Sequence, residues 1–249
     1  MSQFSACSTR TGAASIQSSR LERLCLGWPK YLALAALGIN LALAATRELG
    51  FSRSVTPGLV ERFSAKFGRG SSTRLGNWQG FVRAVPAEQR AGNEFALLRS
   101  VNAFFNNVPF VSDLAQWGME DYWASPAEML AGNGADCEDF SIAKYFTLKE
   151  LGVPIERLRI TYVKAVRLNQ AHMVLAYYPA PGTVPLILDN LEDEVRPAAE
   201  RTDLIPVYSF NDEDVVLLRQ GRASASAGSS SQIRLWRALL DKLEKELHY

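Results

Sequence analysis

Cysteine and histidine are scarce in this chain. Its 249 residues include three cysteines and two histidines. We expect the first 45 residues to be removed, and with them Cys7 and Cys25, so Cys137 would remain alone and no internal disulfide could form. Of the two histidines, His248 lies at the end of the chain, which leaves His172 as the candidate for a catalytic base. A lone cysteine is often only a buried apolar side chain, but any thiol-imidazole chemistry here must use Cys137 and His172.

The chain also lacks a clustered excess of basic residues. Residues 1–45 hold four of the 27 basic residues and one of the 26 acidic residues, so the remainder has a net charge close to −2. A nucleic-acid-binding surface would need concentrated Lys and Arg, and none is seen. The remaining 204 residues are enough for one domain with a substantial core.

The N-terminal segment has the layout of an export signal. Four basic residues precede the apolar run Tyr31–Ala45, which ends in Ala42-Leu43-Ala44-Ala45, an A-x-A cleavage pattern. The run is 15 residues long, shorter than the roughly 20 that span a bilayer. We therefore predict a signal peptide over 1–45, with an uncleaved anchor as the alternative, and no stable membrane insertion of the cleaved form.

Helices are predicted for the first part of the domain that follows. A short helical pattern surrounds Leu59 and Phe63, and Gly68–Ser72 has the composition of a loop. Apolar spacing predicts a longer helix over Pro86–Asn107. Next, Ser125 and Pro126 are typical of a helix N-terminus.

The next predicted helix carries Cys137. The helix that begins at Pro126 is expected to end at Ala131, and Gly132-Asn133-Gly134 forms a tight turn. The turn delivers Asp136 or Cys137 to the start of a helix that runs to about Leu151. At a helix start, the unpaired N–H groups and the helix dipole favour the thiolate.

After Pro154 the pattern changes from helical spacing to alternation. Strands are predicted over Leu158–Tyr162, His172–Tyr178 and Leu186–Leu188, with a turn at Gly182 between the last two. Helices followed by an antiparallel sheet define an α+β domain, which we place at 46–220.

The predicted hairpin brings two polar side chains together. His172 begins one strand and Asp189 follows the next, so antiparallel pairing places them side by side. This is where a carboxylate that orients a catalytic imidazole must lie. Taken singly, His172 could be a strand-end histidine and Asp189 a turn cap, but the combination with Cys137 is harder to explain that way.

The C-terminal end divides into two segments. The Ser/Ala/Gly-rich segment 221–231 is interpreted as a flexible linker, and 232–249 as an amphipathic helix. We expect this helix to pack on the α+β domain, with docking on a partner or a membrane surface as the alternatives.

Three acidic residues surround the cysteine. Asp136, Glu138 and Asp139 should raise the pKa of the thiol of Cys137 by their charge alone, and a bound cation would reverse the effect. Three close carboxylates suit Ca²⁺, but the same residues could simply cap the helix and interact with its dipole.

Several motifs together resemble one known family. The block Gly134-x-Asp136-Cys137-Glu138-Asp139-Phe140 is preceded by Trp123-x-x-Pro126-x-Glu128 and followed by His172-Met173-Val174-Leu175 and Leu188-Asp189-Asn190. These motifs resemble the bacterial transglutaminase-like cysteine proteinases, especially the LapG-type periplasmic proteases, from about Phe51 to Gln220. The resemblance implies a papain/transglutaminase-like core in which the helix bearing Cys137 packs on the sheet bearing His172 and Asp189.

The resemblance also implies the activity. Cys137 would be the nucleophile, His172 the general base and then acid, and Asp189 the orienting residue, with Asp136, Glu138 and Asp139 as calcium ligands. The implied substrate is a large surface adhesin that is cut near its N-terminus at an Ala-Ala site, which releases it and disperses the biofilm. The implied partner is an inner-membrane cyclic-di-GMP receptor that sequesters the protease.

Two other functions use the same fold. A transglutaminase would use the same Cys-His-Asp set to transfer the acyl group of a glutamine side chain, and the three residues alone do not separate it from a protease. A non-catalytic binding module is the second alternative. The presence of Cys137, His172 and Asp189 together argues against it.

Overall fold

The computed structural model describes residues 55–85, 93–219 and 222–248. The predicted signal peptide over 1–45 and the predicted helix start at Pro86 lie outside these residues. The described residues belong to one compact unit, Ala45–Tyr249. Across these ranges, no helix has the length and apolar character needed to cross a membrane.

Seven α-helices lie in the described part of the chain. They are α1 Pro57–Phe67, α2 Gly70–Ala84, α3 Glu94–Asn106, α4 Asp113–Trp117, α5 Pro126–Gly132, α6 Cys137–Glu150 and α7 Arg234–Glu246. The loop predicted over Gly68–Ser72 is wrong beyond its first two residues, because α2 begins at Gly70. The Ser71 hydroxyl lies 2.8 Å from the carbonyl of Gly68 and 3.1 Å from that of Ala131, and it shares its one proton between them, which ties the start of α2 to α5. The described part of the predicted long helix begins at Glu94, with Asn93 as its N-cap.

Helix α6 lies at the centre of the molecule. The sequence predicts one inner face for it, but its side chains from Asp139 to Thr147 are all buried, as is Leu148. The burial extends around the helix because α3 and α5 pack against it together with strands β1 and β2. The start of α6 is therefore held on a rigid, enclosed scaffold.

The sheet has seven antiparallel strands in the order β4-β3-β2-β1-β5-β6-β7. They are β1 Leu158–Ala165, β2 Gln170–Tyr177, β3 Leu186–Leu188, β4 Arg196–Pro197, β5 Leu204–Phe210, β6 Asp214–Arg219 and β7 Arg222–Ser229. The predicted α+β class and the three predicted strands are confirmed. Strands β4 to β7 extend the sheet beyond them.

The flexible linker predicted over 221–231 is wrong. Residues Arg222–Ser229 form β7, which pairs with β6, and a short 3-10 turn at Ser230–Gln232 follows. Small Ser, Ala and Gly side chains give no apolar alternation, so the sequence pattern could not reveal a strand. Its stability comes from backbone hydrogen bonds to β6 rather than from side-chain burial, which suits a strand at the sheet edge.

Helix α7 completes the hydrophobic core. Trp236 is fully buried, stacks on Phe146 with ring centroids 5.6 Å apart, and contacts Phe210 edge-on. Polar contacts fix the same helix: Lys242 donates to Glu128 at 2.7 Å, and the Ser125 hydroxyl donates to Glu246 at 2.7 Å. The helix predicted over 232–249 therefore packs on the preceding α+β domain.

We expect Glu246→Gln to stabilise the protein above neutral pH. Burial raises the pKa of Glu246 to about 7, although the hydrogen bond from Ser125 opposes this shift. Because the folded-state pKa lies above the ordinary value of 4.5, the ionisation cost is absent below pH 4.5 and grows until about pH 7. Glutamine keeps an oxygen for Ser125 and never ionises. It should raise the free energy of unfolding by up to about 3 kcal/mol at pH 8 and leave it unchanged at pH 4.

Urea unfolding at the two pH values measures this difference. Glu244→Gln on the exposed side of α7 is the matched control, and it should have little effect at either pH. Equal stability of wild type and Glu246→Gln at pH 8 would contradict the expected result.

Candidate active site

Cys137 is the first residue of α6. The preceding turn is tight, because Asn133 adopts a left-handed conformation (φ 55°) and a Cβ at position 134 would lie 2.9 Å from the side chain of Val111. The neighbouring Ala135 is tied to Phe110 by a short parallel bridge. These features deliver Cys137 to the helix start, as the sequence predicts, with its side chain half-buried.

The thiol of Cys137 is held by an acidic neighbour. Its Sγ donates a hydrogen bond to Glu138 Oε2 at 2.9 Å. Burial, followed by the charge and hydrogen bond of Glu138 and the charge of Asp136, raises the pKa of the thiol, and the N–H of Met173 opposes this only in part. The expected dipole effect is therefore outweighed, and these neighbours favour the thiol over the thiolate.

His172 and Asp189 form a buried pair. His172 Nε2 lies 2.8 Å from Asp189 Oδ1, and the two side chains are 2% and 0% exposed. The cause is the antiparallel register of β2 and β3, in which Leu175 pairs with Leu188. His172, near the start of β2, therefore lies beside Asp189, which directly follows β3. The predicted adjacency is confirmed. A carboxylate only accepts hydrogen bonds, so Nε2 carries the proton and Nδ1 is left as the free base.

Several groups keep Asp189 ionised. Burial acts to raise its pKa, but His172, the N–H of Leu191 and the guanidinium of Arg201 outweigh burial and hold the pKa at about 2. The backbone carbonyl of Asp189 also accepts a hydrogen bond from Asn106 Nδ2 at 3.0 Å. Asp189 is thus a fixed negative charge across the neutral pH range.

The cysteine also faces the strand that carries His172. The Met173 N–H that faces the sulfur of Cys137 belongs to the residue directly after His172. Strand β2, which carries His172, therefore packs beside the start of α6, which carries Cys137.

Two acidic groups that share Asp113 lie beside the cysteine. Asp113 forms one group with Asp136 and Asp139 and another with Asp121 and Glu138, and within each group the carboxylate oxygens lie within 4.8 Å of one another. The sequence predicts Asp136, Glu138 and Asp139 as ligands, and the structure brings all three to this place. The two other aspartates were missed, because they lie in a separate part of the chain with no motif around them.

The buried oxygens of this cluster lack partners. Within the described residues, Asp113 Oδ1, Asp136 Oδ1 and Asp139 Oδ2 are buried without a hydrogen bond. Their other contacts come from the backbone: the N–H of Tyr122 donates to Asp113, and that of Ala124 donates to Asp139. Unpaired buried carboxylate oxygens are costly, and a hard cation would satisfy them. The residues present thus fit a calcium ion.

Crowding of these carboxylates shifts their protonation. Burial, together with the charges of Glu138 and Asp121, raises the pKa of Asp113 to about 6 in spite of the Tyr122 hydrogen bond. Burial and neighbouring acids also raise the pKa values of Asp136 and Asp139. The cluster therefore resists carrying its full negative charge without a counterion.

A cysteine at a helix start beside a His-Asp pair on an antiparallel sheet defines the papain-like and transglutaminase-like class of cysteine enzymes. The family model for bacterial transglutaminase-like cysteine proteinases matches residues 82–208, just over half of the chain. The chain belongs to this family and is a cysteine protease.

Solved structures of LapG from Legionella pneumophila are similar over most of the chain. The EGTA-treated form is 38% identical with a TM-score of 0.62, and the alignment covers 75% of this chain and 96% of that one. The calcium-bound form is 38% identical with a TM-score of 0.59, covering 75% of this chain and 98% of that one. A search of curated proteins found no match.

Proposed function

We propose that this protease is a calcium-dependent periplasmic endopeptidase that cuts the N-terminal region of a large surface adhesin at an Ala-Ala site. Release of the adhesin would disperse the biofilm. The observation that carries the proposal is the likeness to Legionella LapG, at 37–38% identity over 96–98% of those chains. The predicted export signal over 1–45 supports a periplasmic location. The family resemblance supports a cyclic-di-GMP receptor of the inner membrane as the inhibitory partner.

The described geometry supports a nucleophilic mechanism with Cys137, His172 and Asp189. His172 Nδ1 takes the thiol proton while the sulfur forms a bond to the scissile carbonyl carbon, whose electron pair moves onto oxygen. When the tetrahedral intermediate collapses, the C–N bond breaks and His172 gives its proton to the leaving amine. Water then hydrolyses the thioester, again with His172 as base. Asp189 holds the imidazole in the tautomer that leaves Nδ1 free.

The developing oxyanion needs hydrogen-bond donors that are already in place. The backbone N–H of Cys137 lies at the start of α6, where it has no partner within the helix. A donor of this kind is typically worth on the order of 10² to 10³ in rate.

Glu138 has a second role in this proposal. In the described structure it accepts the hydrogen bond of the Cys137 thiol, which keeps the proton away from His172. We assign Asp136, Glu138 and Asp139 as calcium ligands, together with Asp113. A bound calcium ion supplies positive charge that offsets these carboxylates. Glu138 would then no longer hold the thiol, and the proton of Cys137 could pass to His172.

Cleavage of an adhesin fragment tests the substrate. We expect the protein to cut a fragment containing the adhesin N-terminal region at Ala-Ala in the presence of Ca²⁺, and to leave intact a fragment in which Ala-Ala is replaced by Asp-Asp. Electrophoresis and mass spectrometry of the products locate the cut. If the protein cuts neither fragment, the proposed substrate is overturned.

An added amine separates hydrolysis from acyl transfer. With a primary amine in excess, a protease gives mainly the free carboxylate at the new C-terminus, whereas a transglutaminase joins the amine to a glutamine side chain of an uncut chain. We expect hydrolysis, in keeping with the family.

A further inference from the structure

A buried arginine holds the second oxygen of Asp189. Arg201 Nη2 donates to Asp189 Oδ2 at 2.7 Å, while Asp189 Oδ1 faces His172 Nε2 and also accepts the N–H of Leu191. The side chain of Arg201 is 6% exposed and that of Asp189 is 0% exposed. Each carboxylate oxygen therefore has its own strong donor, and rotation of the carboxylate would break bonds at both ends.

Arg201 is itself fixed by Asp203. Its Nε and Nη2 donate to the two oxygens of Asp203, both at 3.0 Å, in the bidentate geometry that orients a guanidinium most firmly. Packing does not fully enclose Arg201, because a cavity of about 280 Å³ borders it, with walls that include Val174 and Ile187. The two carboxylates rather than tight packing hold the guanidinium in place.

We propose that Arg201 is a positioning residue for the reaction, which fixes the carboxylate of Asp189 and through it the tautomer and orientation of His172. Asp203 holds Arg201 in turn. This inference rests on the catalytic roles of His172 and Asp189 in the proposed function. An Asp189 carboxylate with one free oxygen could turn about its Cβ–Cγ bond, and the imidazole N–H would lose its directed acceptor. The imidazole would then populate the tautomer with a proton on Nδ1, which is unable to take the thiol proton.

Kinetics of Arg201 variants test the proposal. We expect Arg201→Gln to lower kcat on the order of ten- to a hundredfold with KM nearly unchanged, because outer partners of catalytic groups typically contribute this much. Arg201→Lys keeps the charge without the planar fork, and its kcat should fall between those of wild type and Arg201→Gln. The substrate is a peptide spanning the Ala-Ala site, and all variants are made in the full chain.

Arg196→Gln is the matched control. Arg196 also pairs with carboxylates, those of Glu192 and Glu194, but its side chain is 41% exposed, and its ion pairs in the described structure do not include Asp189. It should keep the kcat of the wild type.

The proton on His172 Nε2 gives a readout that does not need a substrate. The chain has two histidines, so His248→Gln leaves one set of imidazole signals, which belongs to His172. We expect a slowly exchanging, downfield Nε2–H signal in this background, because the proton is buried in the bond to Asp189. Adding Arg201→Gln should move this signal upfield or broaden it by exchange.

Two results would overturn the proposal. One is a wild-type kcat in Arg201→Gln, and the other is an unchanged His172 signal in that variant, which would leave Arg201 with a merely structural role. If Arg201→Gln does not fold, Asp203→Asn takes its place. It removes the bidentate ion pair between Arg201 and Asp203 but keeps Arg201 beside Asp189. It should give a smaller loss of kcat and a change in the same signal, and wild-type values for both would overturn the proposal. If wild type does not cut the peptide, the proposed substrate fails, whereas the His172 signal still tests Arg201.

Discussion

Replacing Cys137 by alanine should lower kcat for peptide cleavage by a factor on the order of 10⁴ or more. The sulfur is the atom that attacks the carbonyl in the proposed mechanism, and alanine offers His172 no proton to take. What remains is the background rate that bound substrate and oxyanion donors support by themselves. Product formation over long incubations, followed by mass spectrometry, measures the difference.

Cys137→Ala also separates the nucleophile from the acidic cluster. Cys137 is half-buried, so its loss of one sulfur atom should change the unfolding midpoint little. Glu138 loses the thiol as a donor but keeps its carboxylate for a cation, so the calcium response should persist in a variant without activity. Cys137→Ser is the companion variant, because it preserves the volume and hydrogen bond but not the nucleophilicity. Cleavage that persists in Cys137→Ala would rule out the thiol mechanism.

We expect calcium to raise the thermal unfolding midpoint of the wild type, and Asp113→Asn to remove most of this response. Asp113 belongs to both acidic groups, so its charge contributes to either placement of an ion. At a calcium concentration 100 times Kd, binding stabilises the folded state by about 2.7 kcal/mol. For a chain of this size the midpoint then rises by roughly 5–10 °C.

Without calcium the order of stability should reverse. The asparagine side chain of the Asp113→Asn variant can still accept the N–H of Tyr122 but adds no charge to a crowded cluster, so this variant in EGTA should unfold at a higher temperature than wild type. Protease activity should be lost in EGTA and restored by Ca²⁺ in wild type only. Asp241→Asn, an exposed change on α7, is the control and should behave as wild type. A full calcium response in Asp113→Asn would exclude this residue as a ligand, and full wild-type activity in EGTA would exclude calcium dependence.

The catalytic pair could be predicted from the sequence because its geometry is local. His172 lies on β2 and Asp189 directly follows β3, the next strand along the chain, so antiparallel pairing alone brings them together. The start of α6 was also predictable, because Ser125 and Pro126 fix α5 and the glycine-rich turn leaves little freedom before Cys137.

The other parts of the site depend on tertiary contacts that no local pattern carries. Asp113 joins the cluster because the segment that follows it donates the N–H of Tyr122 to Asp113 and the N–H of Ala124 to Asp139. Arg201 reaches Asp189 from the segment between β4 and β5. Strand β7 was missed for a different reason, since its existence depends on backbone pairing rather than on side chains. The acidic residues at the start of α6 could be seen in the sequence, but the two aspartates that join them, Asp113 and Asp121, could not be identified there.

The placement of Trp236 makes α7 part of the core on which the helix bearing Cys137 depends. Trp236 stacks on Phe146 of that helix, and the hydroxyl of Ser125, at the start of α5, donates to Glu246 of α7. A chain cut before α7 would keep Cys137, His172 and Asp189 but would lack the aromatic ring that packs against Phe146. The three residues of the mechanism are therefore not enough by themselves, because the scaffold that holds them includes a helix far from them in sequence.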